Sequence, residues 1–404
     1  MKNNRVHIFI FLILGSVFVT SSLHSKRGGK QKEKQLANEI LQQACNYLSS
    51  KQFSDGSWRS DEYGLLKSGQ SLTPFILDAY LDTPFQKSHK HNQLIEKSIN
   101  FLRQKNNHGV HGKCDPDFLD YPNYSTSYAL RCFLKFGQEK DDKKIKKMIQ
   151  YLQDQQFSEK YGFDLNSPPY GGWGFGINQK PTLGSFVDLA HTRRVLQSLN
   201  HANAITNPIK NRSECFLNRL QKRKQAPNNY RTNWVPKYGY DGGFFSSPTI
   251  AYANKGRTRI DQNSGQEYFR SYSTATCDGV LSIIALGYQS SSQEIKDAKL
   301  WLKQNQNWEL PSGVPRDDPA PWAESMKLYN LMVLSETYCA LEIPGNWKNK
   351  IIHFLGQRQR ADGSFLNMEG KLMKEDDPLI STTYAIIALN HILTSSEIEK
   401  ITFF

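Results

Sequence analysis

The chain has 404 residues, 12% of them aromatic and 22% charged, with a formal net charge of +13. That composition can bury a large core and excludes global disorder. The basic residues are scattered outside the leader and Arg219–Lys224, and no nucleic-acid-binding motif is present, so no nucleic-acid partner is expected.

Residues 1–25 read as a signal peptide. Lys2 and Arg5 form a positive start, Ile8–Val19 is an apolar run of 12, and Ser21, Ser22 and Ser25 offer small residues for cleavage. The expected location is therefore secreted or periplasmic. The run is shorter than an ordinary bilayer span, so no stable membrane span is expected. A basic leader follows at 26–35, then a single domain at 36–396 and a tail at 397–404. Of six cysteines, Cys45, Cys132, Cys215 and Cys339 lie in apolar helical patterns, where buried free thiols are common. Their pairing, like the oligomeric state, is not encoded in a readable pattern.

The domain repeats. An apolar helix carrying Ala44, Tyr47 and Leu48 runs into Gln52-Phe53-Ser54-Asp55-Gly56-Ser57-Trp58, and a second helix starts near Thr73-Pro74. The pair Ile95–Leu102 and Tyr124–Leu130 is separated by the turn Gly109–Gly112. The third pair has Gln155, the run Tyr170-Gly171-Gly172-Trp173-Gly174, and a helix start at Asp188–Thr192. The fourth has Gln221, Tyr240-Asp241-Gly242-Gly243-Phe244 and a start at Thr274–Gly279. The fifth has Trp301, Leu302 and a Pro-rich turn from Pro311 to Trp322. The sixth repeats the opening phrase as Gln359-Arg360-Ala361-Asp362-Gly363-Ser364-Phe365, before Ser381-Thr382-Thr383.

Asp-Gly supplies the positive-φ position that ends a helix, the aromatic folds back on the core, and Gln can bond exposed backbone groups. Such pairs bury their apolar stripes only against one another. The expected fold is all-α: an α/α toroid of six helix pairs. The more apolar second helices form the inner ring, with their N-termini gathered on one face.

Several residue groups carry chemistry. Asp188 and His191, at i and i+3 of an inner-helix start, suit an acid–base pair, with Asp188 as a plain N-cap the competing reading. Tyr272, Cys277 and Asp278 mark another inner-helix start, where a thiol can be acidified. Capping competes there too. Trp173, Trp234, Phe244 and Trp322 are candidates to line a cavity for an apolar polyene or a sugar face, or simply to pack. His108, His111, Cys114 and Asp115 have metal-ligand types at short spacing but replace an ordinary repeat turn, so no metal or other cofactor is expected. Arg316-Asp317-Asp318-Pro319 is an acidic loop; adjacent positions do not show the separation a glycosidase pair needs.

The Gln52–Trp58 and Gln357–Phe365 phrases resemble the QW repeats of terpenoid cyclases and the repeats of protein prenyltransferase β subunits. Gly171–Gly174, Asp188–Thr192 and Tyr272–Gly279 resemble bacterial prenyltransferase and squalene oxidase repeat proteins, over roughly Leu36–Thr394. The resemblance implies the toroid. It does not transfer the chemistries. The cyclase acid motif Asp-x-Asp-Asp is absent, its nearest string being Lys374-Glu375-Asp376-Asp377, and Asp278 is the one substitute acid near the expected position. No cysteine is preceded two residues earlier by Asp, as the zinc site of the prenyltransferases requires, and the Gly-Cys-Gly-Glu-Gln run of thioester domains is missing.

The leading functional expectation is an exported cyclase-like toroid that binds a small apolar or amphipathic ligand, or a partner, in its lumen. It should neither cyclise squalene by protonation nor transfer prenyl groups with zinc. Two alternatives stay open: an (α/α)6 glycan-acting lyase or hydrolase, and a non-catalytic interaction scaffold.

Overall fold

A computed structural model describes residues 31–85, 89–106, 108–115, 118–177, 186–224 and 239–401. The expected leader peptide and Trp234 lie outside the described residues. Among the described residues twelve α-helices alternate between two rings. The outer ring comprises α1 (31–50), α3 (His89–Lys105), α5 (Asp142–Asp154), α7 (Asn207–Leu220), α9 (Gln293–Gln304) and α11 (Trp347–Gly356). The inner ring comprises α2 (Leu72–Leu81), α4 (Pro122–Phe136), α6 (Leu189–His201), α8 (Ser273–Ala285), α10 (Lys327–Ala340) and α12 (Pro378–Ile401). Each inner helix packs on the next, and α12 packs back on α2, so the ring closes. The last residues of the basic leader are already helical, since α1 starts at 31.

The repeated phrase works as a clasp between neighbouring pairs. Gln52 Nε2 donates to the carbonyl of Gly56 in its own turn and to that of Leu94 on the next outer helix. Gln221 bonds Gly242 and Glu294 in the same way. Gln359 bonds Gly363 at 3.0 Å and Ile40 of α1 at 2.9 Å, which ties the last pair to the first. In the third pair the clasp is Gln156, one residue beyond the Gln155 that the sequence pattern suggested; Gln155 instead accepts from the Ile177 amide.

The turn glycines sit flush against the next outer helix. A Cβ on Gly56 (φ 88°) would collide with the Lys97 carbonyl, and one on Gly363 (φ 86°) with that of Gln43. A second constant joins the turns of five of the six pairs to their inner helices. The backbone N–H of Trp58, His111, Trp173, Phe244 and Phe365 donates to Thr73, Thr126, Thr192, Thr276 and Thr382, each at 3.0–3.1 Å. The helix-start threonines thus anchor the turns; the N-cap of α2 is Ser71.

The α7–α8 connection is the longest insertion. It carries a hairpin of β1 (Thr258–Ile260) and β2 (Glu267–Phe269), with Thr258 opposite Phe269. Arg257 pins it to Asp318, whose carboxyl is thereby held below its usual range. The acidic loop is a structural clasp for this insertion. Cys45, Cys132, Cys277 and Cys339 carry free thiols. Among the described residues no helix is long and apolar enough to cross a membrane.

Candidate functional site

The inner helices present an unexpected stripe to the ring axis. On α4 and its N-cap, Tyr121, Tyr124, Tyr128, Arg131 and Lys135 recur at three- and four-residue spacing, as do His191, Arg194, Gln197 and His201 on α6. These are polar and aromatic, not apolar. Contacts across the ring place them in the lumen: Gln197 of α6 donates to Glu336 of α10 at 2.7 Å, and Arg194 reaches Met332 of α10 at 4.0 Å.

The end holding the inner-helix N-termini is aromatic. Phe75 of α2 meets Tyr128 of α4 at 5.1 Å and Tyr384 of α12 at 5.6 Å, and Tyr384 meets Tyr329 of α10 at 5.5 Å. Nearer the mouth, Tyr124, Phe175 and Phe186 surround the His191 ring at 4.6, 4.9 and 5.7 Å, mostly edge to face. Lys374 stands at the rim, its ammonium donating to the Tyr121 hydroxyl at 3.0 Å.

Asp188 is the N-cap of α6. Its Oδ1 accepts the His191 backbone N–H at 2.9 Å and lies 2.8 Å from His191 Nδ1. Both the capping reading and the paired reading therefore describe the same carboxylate. Burial pushes the Asp188 carboxyl up, but the imidazole charge and hydrogen bonds outweigh it and hold the group low. The contact to Asp188 takes up Nδ1 and leaves Nε2 as the second ring nitrogen. His191 Nε2 is buried and has no hydrogen-bond partner among the described residues.

Asp278 enters the lumen from α8. It accepts from Arg193 at 2.8 Å and from the Tyr329 hydroxyl at 3.0 Å. The partner suggested by the sequence, Tyr272, lies elsewhere: its hydroxyl donates to the Ala253 carbonyl at 3.2 Å. Burial pushes the Asp278 carboxyl up, and Arg193 opposes that rise. The charge of Asp278 also reaches Tyr124, as does that of Asp188, so the two acidic groups bracket one tyrosine. The side chains that bond Asp278, Arg193 and Tyr329, were missed in the sequence because they sit 85 and 51 residues away.

The other candidates divide. Trp173 is fully buried and donates its indole N–H to the Leu152 carbonyl, matching Trp58 to Leu48; it belongs to the repeat framework. Phe244 occupies the same framework position. Cys277 is fully buried, and burial pushes its thiol up to about 12, the opposite of the activated thiol that a helix start suggested. Trp322 packs under the Lys255 ammonium, 3.9 Å from its ring, with Tyr252 at 5.0 Å. Burial pushes that ammonium down to about 8 against the pull of Asp188, which places the Trp322 group beside the α6 start. His111 fills the aromatic position of the second pair and is fully buried; burial takes it down to about 3. Among the described residues no group of three or more His, Cys, Asp or Glu side chains is placed to hold a metal ion.

Glu375 and Asp377, from the string compared with the cyclase acid motif, are helix caps. Glu375 is fully buried and accepts from the Tyr329 and Leu328 amides of α10 at 2.7 and 3.1 Å and from Asn367 at 2.7 Å. Asp377 accepts from the Leu379 amide of α12 at 2.8 Å.

Solved structures share this architecture. Type II terpene cyclase MstE from Scytonema superposes with a TM-score of 0.55 at 11% identity, covering 90% of this chain and 99% of that one. A variant of it in complex with geranylgeranyl dihydroxybenzoate gives 0.55 at 10%, covering 91% and 99%. An inactive variant of an α-1,6-mannanase from Salegentibacter sp., in complex with α-1,6-mannotriose, gives 0.54 at 10%, covering 90% and 99%. The chain has the α/α-toroid fold of both. The toroid that the QW-like phrases implied is thus the observed one, and at this identity the likeness speaks for fold alone. No protein-family profile and no curated protein matches the sequence.

Proposed function

We propose that this protein is an exported toroid that binds a small amphipathic molecule in the aromatic half of its lumen. The observation that carries the reading is His191 Nε2: a buried ring nitrogen with no hydrogen-bond partner among the described residues, on a ring held by Asp188 and walled by Tyr124, Phe175 and Phe186. A buried acceptor without a partner costs about 1–3 kcal/mol. A hydroxyl or acidic C–H on a bound ligand would complete it. The aromatic rings would take an apolar body alongside. The same dyad has the form of a general base, with Asp188 holding the imidazole and Nε2 receiving the proton. The terpene cyclase neighbour, bound to a ligand with a geranylgeranyl body, lends this reading support by analogy.

The glycan-acting alternative rests on a different place. A cleft of about 400 Å³ outside the lumen is lined by Tyr47, Phe53, Arg59, Asp61, Glu62 and Asp377. Phe53 is 44% exposed there. Asp377, however, spends its oxygens on Ser60 and on the start of α12.

Calorimetry on the mature protein with geranylgeraniol and with α-1,6-mannotriose separates the two. The proposal expects the isoprenoid alcohol to bind and His191→Leu to weaken it roughly tenfold, the worth of one buried hydrogen bond. Mannotriose binding without isoprenoid binding would reject it. Incubation with squalene should yield no cyclised product, because the Asp-x-Asp-Asp acid motif is absent and the Asp278 carboxyl is tied up by Arg193 and Tyr329. Intact mass of the exported protein should lack about 20–25 residues.

A further inference from the structure

Arg193 and Arg194 are adjacent on α6 and both buried, at 0% and 5% exposure. Arg193 meets two carboxylates, Asp278 at 2.8 Å and Glu336. Among the described residues Arg194 meets none. Its Nη1 lies 3.4 Å from Gln197 Oε1, its Nη2 lies 4.0 Å from the Met332 sulfur, and its Nε has no partner. Its guanidinium sits 5.0 Å from the Tyr128 ring. A guanidinium stays charged, and burying a charge without a counter-ion is costly enough that such groups are normally paired. Nothing in the repeat framework needs it: the clasp, the turn and the threonine anchor of this pair are made by Gln156, Gly171 and Thr192.

The position gives this cation a use. Arg194 is one helical turn below His191 on the lumen stripe, reaches toward α10, and lies against Tyr128 of α4. It lies against the aromatic cluster of Phe75, Tyr128, Tyr329 and Tyr384 through Tyr128. The carboxylates at that depth are already engaged: Glu336 by Arg193 and Gln197, Asp278 by Arg193 and Tyr329.

From this geometry we infer that the lumen ligand carries an anionic head, a carboxylate or a phosphate monoester, which is received by Arg194 while its apolar body lies along the tyrosines to the mouth. The inference rests on the lumen-binding reading and names the class of ligand for it. The fork of N–H donors on a guanidinium matches the two oxygens of either head, and the pair would form where water is excluded.

The test is a matched series on the full mature chain: farnesol, farnesoic acid and farnesyl phosphate, with inorganic phosphate and acetate as heads without a body. The acid or the phosphate should bind at least roughly tenfold tighter than the alcohol, as a charge-assisted hydrogen bond adds. The tighter of the two identifies the head, and the isolated anions should bind far more weakly. Arg194→Met should bring the head-bearing ligand down to the level of the alcohol. Equal binding of alcohol, acid and phosphate would overturn the anionic head and leave the lumen reading standing. Binding of none would overturn both. A head preference that persists in Arg194→Met would assign it to another residue. If Arg194→Met fails to fold, Arg194→Gln takes its place, and the alcohol-to-acid ratio of the wild type decides without any variant.

Discussion

At the C-terminal end of the inner helices the lumen holds ions that satisfy one another. Asp78 takes Arg131 at 3.0 Å and Lys135 at 2.9 Å, and Lys135 also reaches Asp82 at 2.7 Å. Arg193 joins Asp278 to Glu336, and Gln197 caps the same glutamate. Toward the N-terminal end, His191 Nε2 and, next in sequence to Arg193, Arg194 Nε are both buried and without a hydrogen-bond partner among the described residues. A paired buried network fixes how helices meet, while an unpaired buried group is open to a water or a ligand. On the lumen-binding proposal the difference separates a plugged half of the lumen from a receptive half.

The largest expected effect breaks the plugged half. Glu336→Ala strips Arg193 and Gln197 of their shared partner and leaves a buried cation half compensated. Loss of one partner from a buried pair costs about 3–5 kcal/mol, and chemical denaturation should show a loss of that size. A loss below about 1 kcal/mol, the worth of an exposed pair, would mean that the network is not structural.

The second prediction concerns the joint between the halves. Glu375 caps the first turn of α10, which carries Tyr329, the partner of Asp278. Burial raises its carboxyl from 4.5 to about 7 against three hydrogen bonds that pull it down. A folded value above the unfolded one means that this group's contribution is complete below the ordinary glutamate range and is lost as pH rises through about 7. The wild type should lose up to about 3 kcal/mol between pH 4.5 and 8 from this group, at 1.36 kcal/mol per pKa unit. Glu375→Gln should show a shallower decline over that window. Parallel stability curves for the two proteins would remove Glu375 from the account.

A smaller effect sharpens the receptive half. Asp188→Ala removes the cap of α6 and should cost about 1 kcal/mol. Its larger consequence is for ligand binding, because the His191 ring loses the contact that takes up its Nδ1. NMR of the His191 ring nitrogens should show a single tautomer in the wild type and a mixture in the variant. An unchanged ring signature would show that Asp188 does not orient the imidazole.

Much of the architecture was written in plain residues. Gln52, Gly56 and Trp58 recur as Gln359, Gly363 and Phe365 because each performs the same clasp, flush turn and anchor in the first and the last pair. Asp188 and His191 could be paired from their spacing alone, since i and i+3 share a helix face. The rest of the site was hidden for a physical reason. Polar residues at Tyr124, Tyr128 and Arg131 have the spacing of a solvent-facing stripe, and only ring closure turns that face inward. Glu375 and Asp377 likewise read as a run of acids, whereas one caps α10 and the other α12, a fact set by contacts up to 47 residues apart.

Arg193→Met and Arg194→Met, compared side by side in guanidinium denaturation without ligand, test the division of the lumen most directly. Both replacements remove one buried charge from adjacent positions on one helix. The first strands Asp278 and Glu336 and should destabilise by about 3–5 kcal/mol; the second removes a cation that makes no ion pair among the described residues and should leave stability within about 1 kcal/mol of the wild type or raise it. Equal losses in the two variants, or a larger loss at Arg194, would contradict a structural lower lumen beneath a receptive upper one.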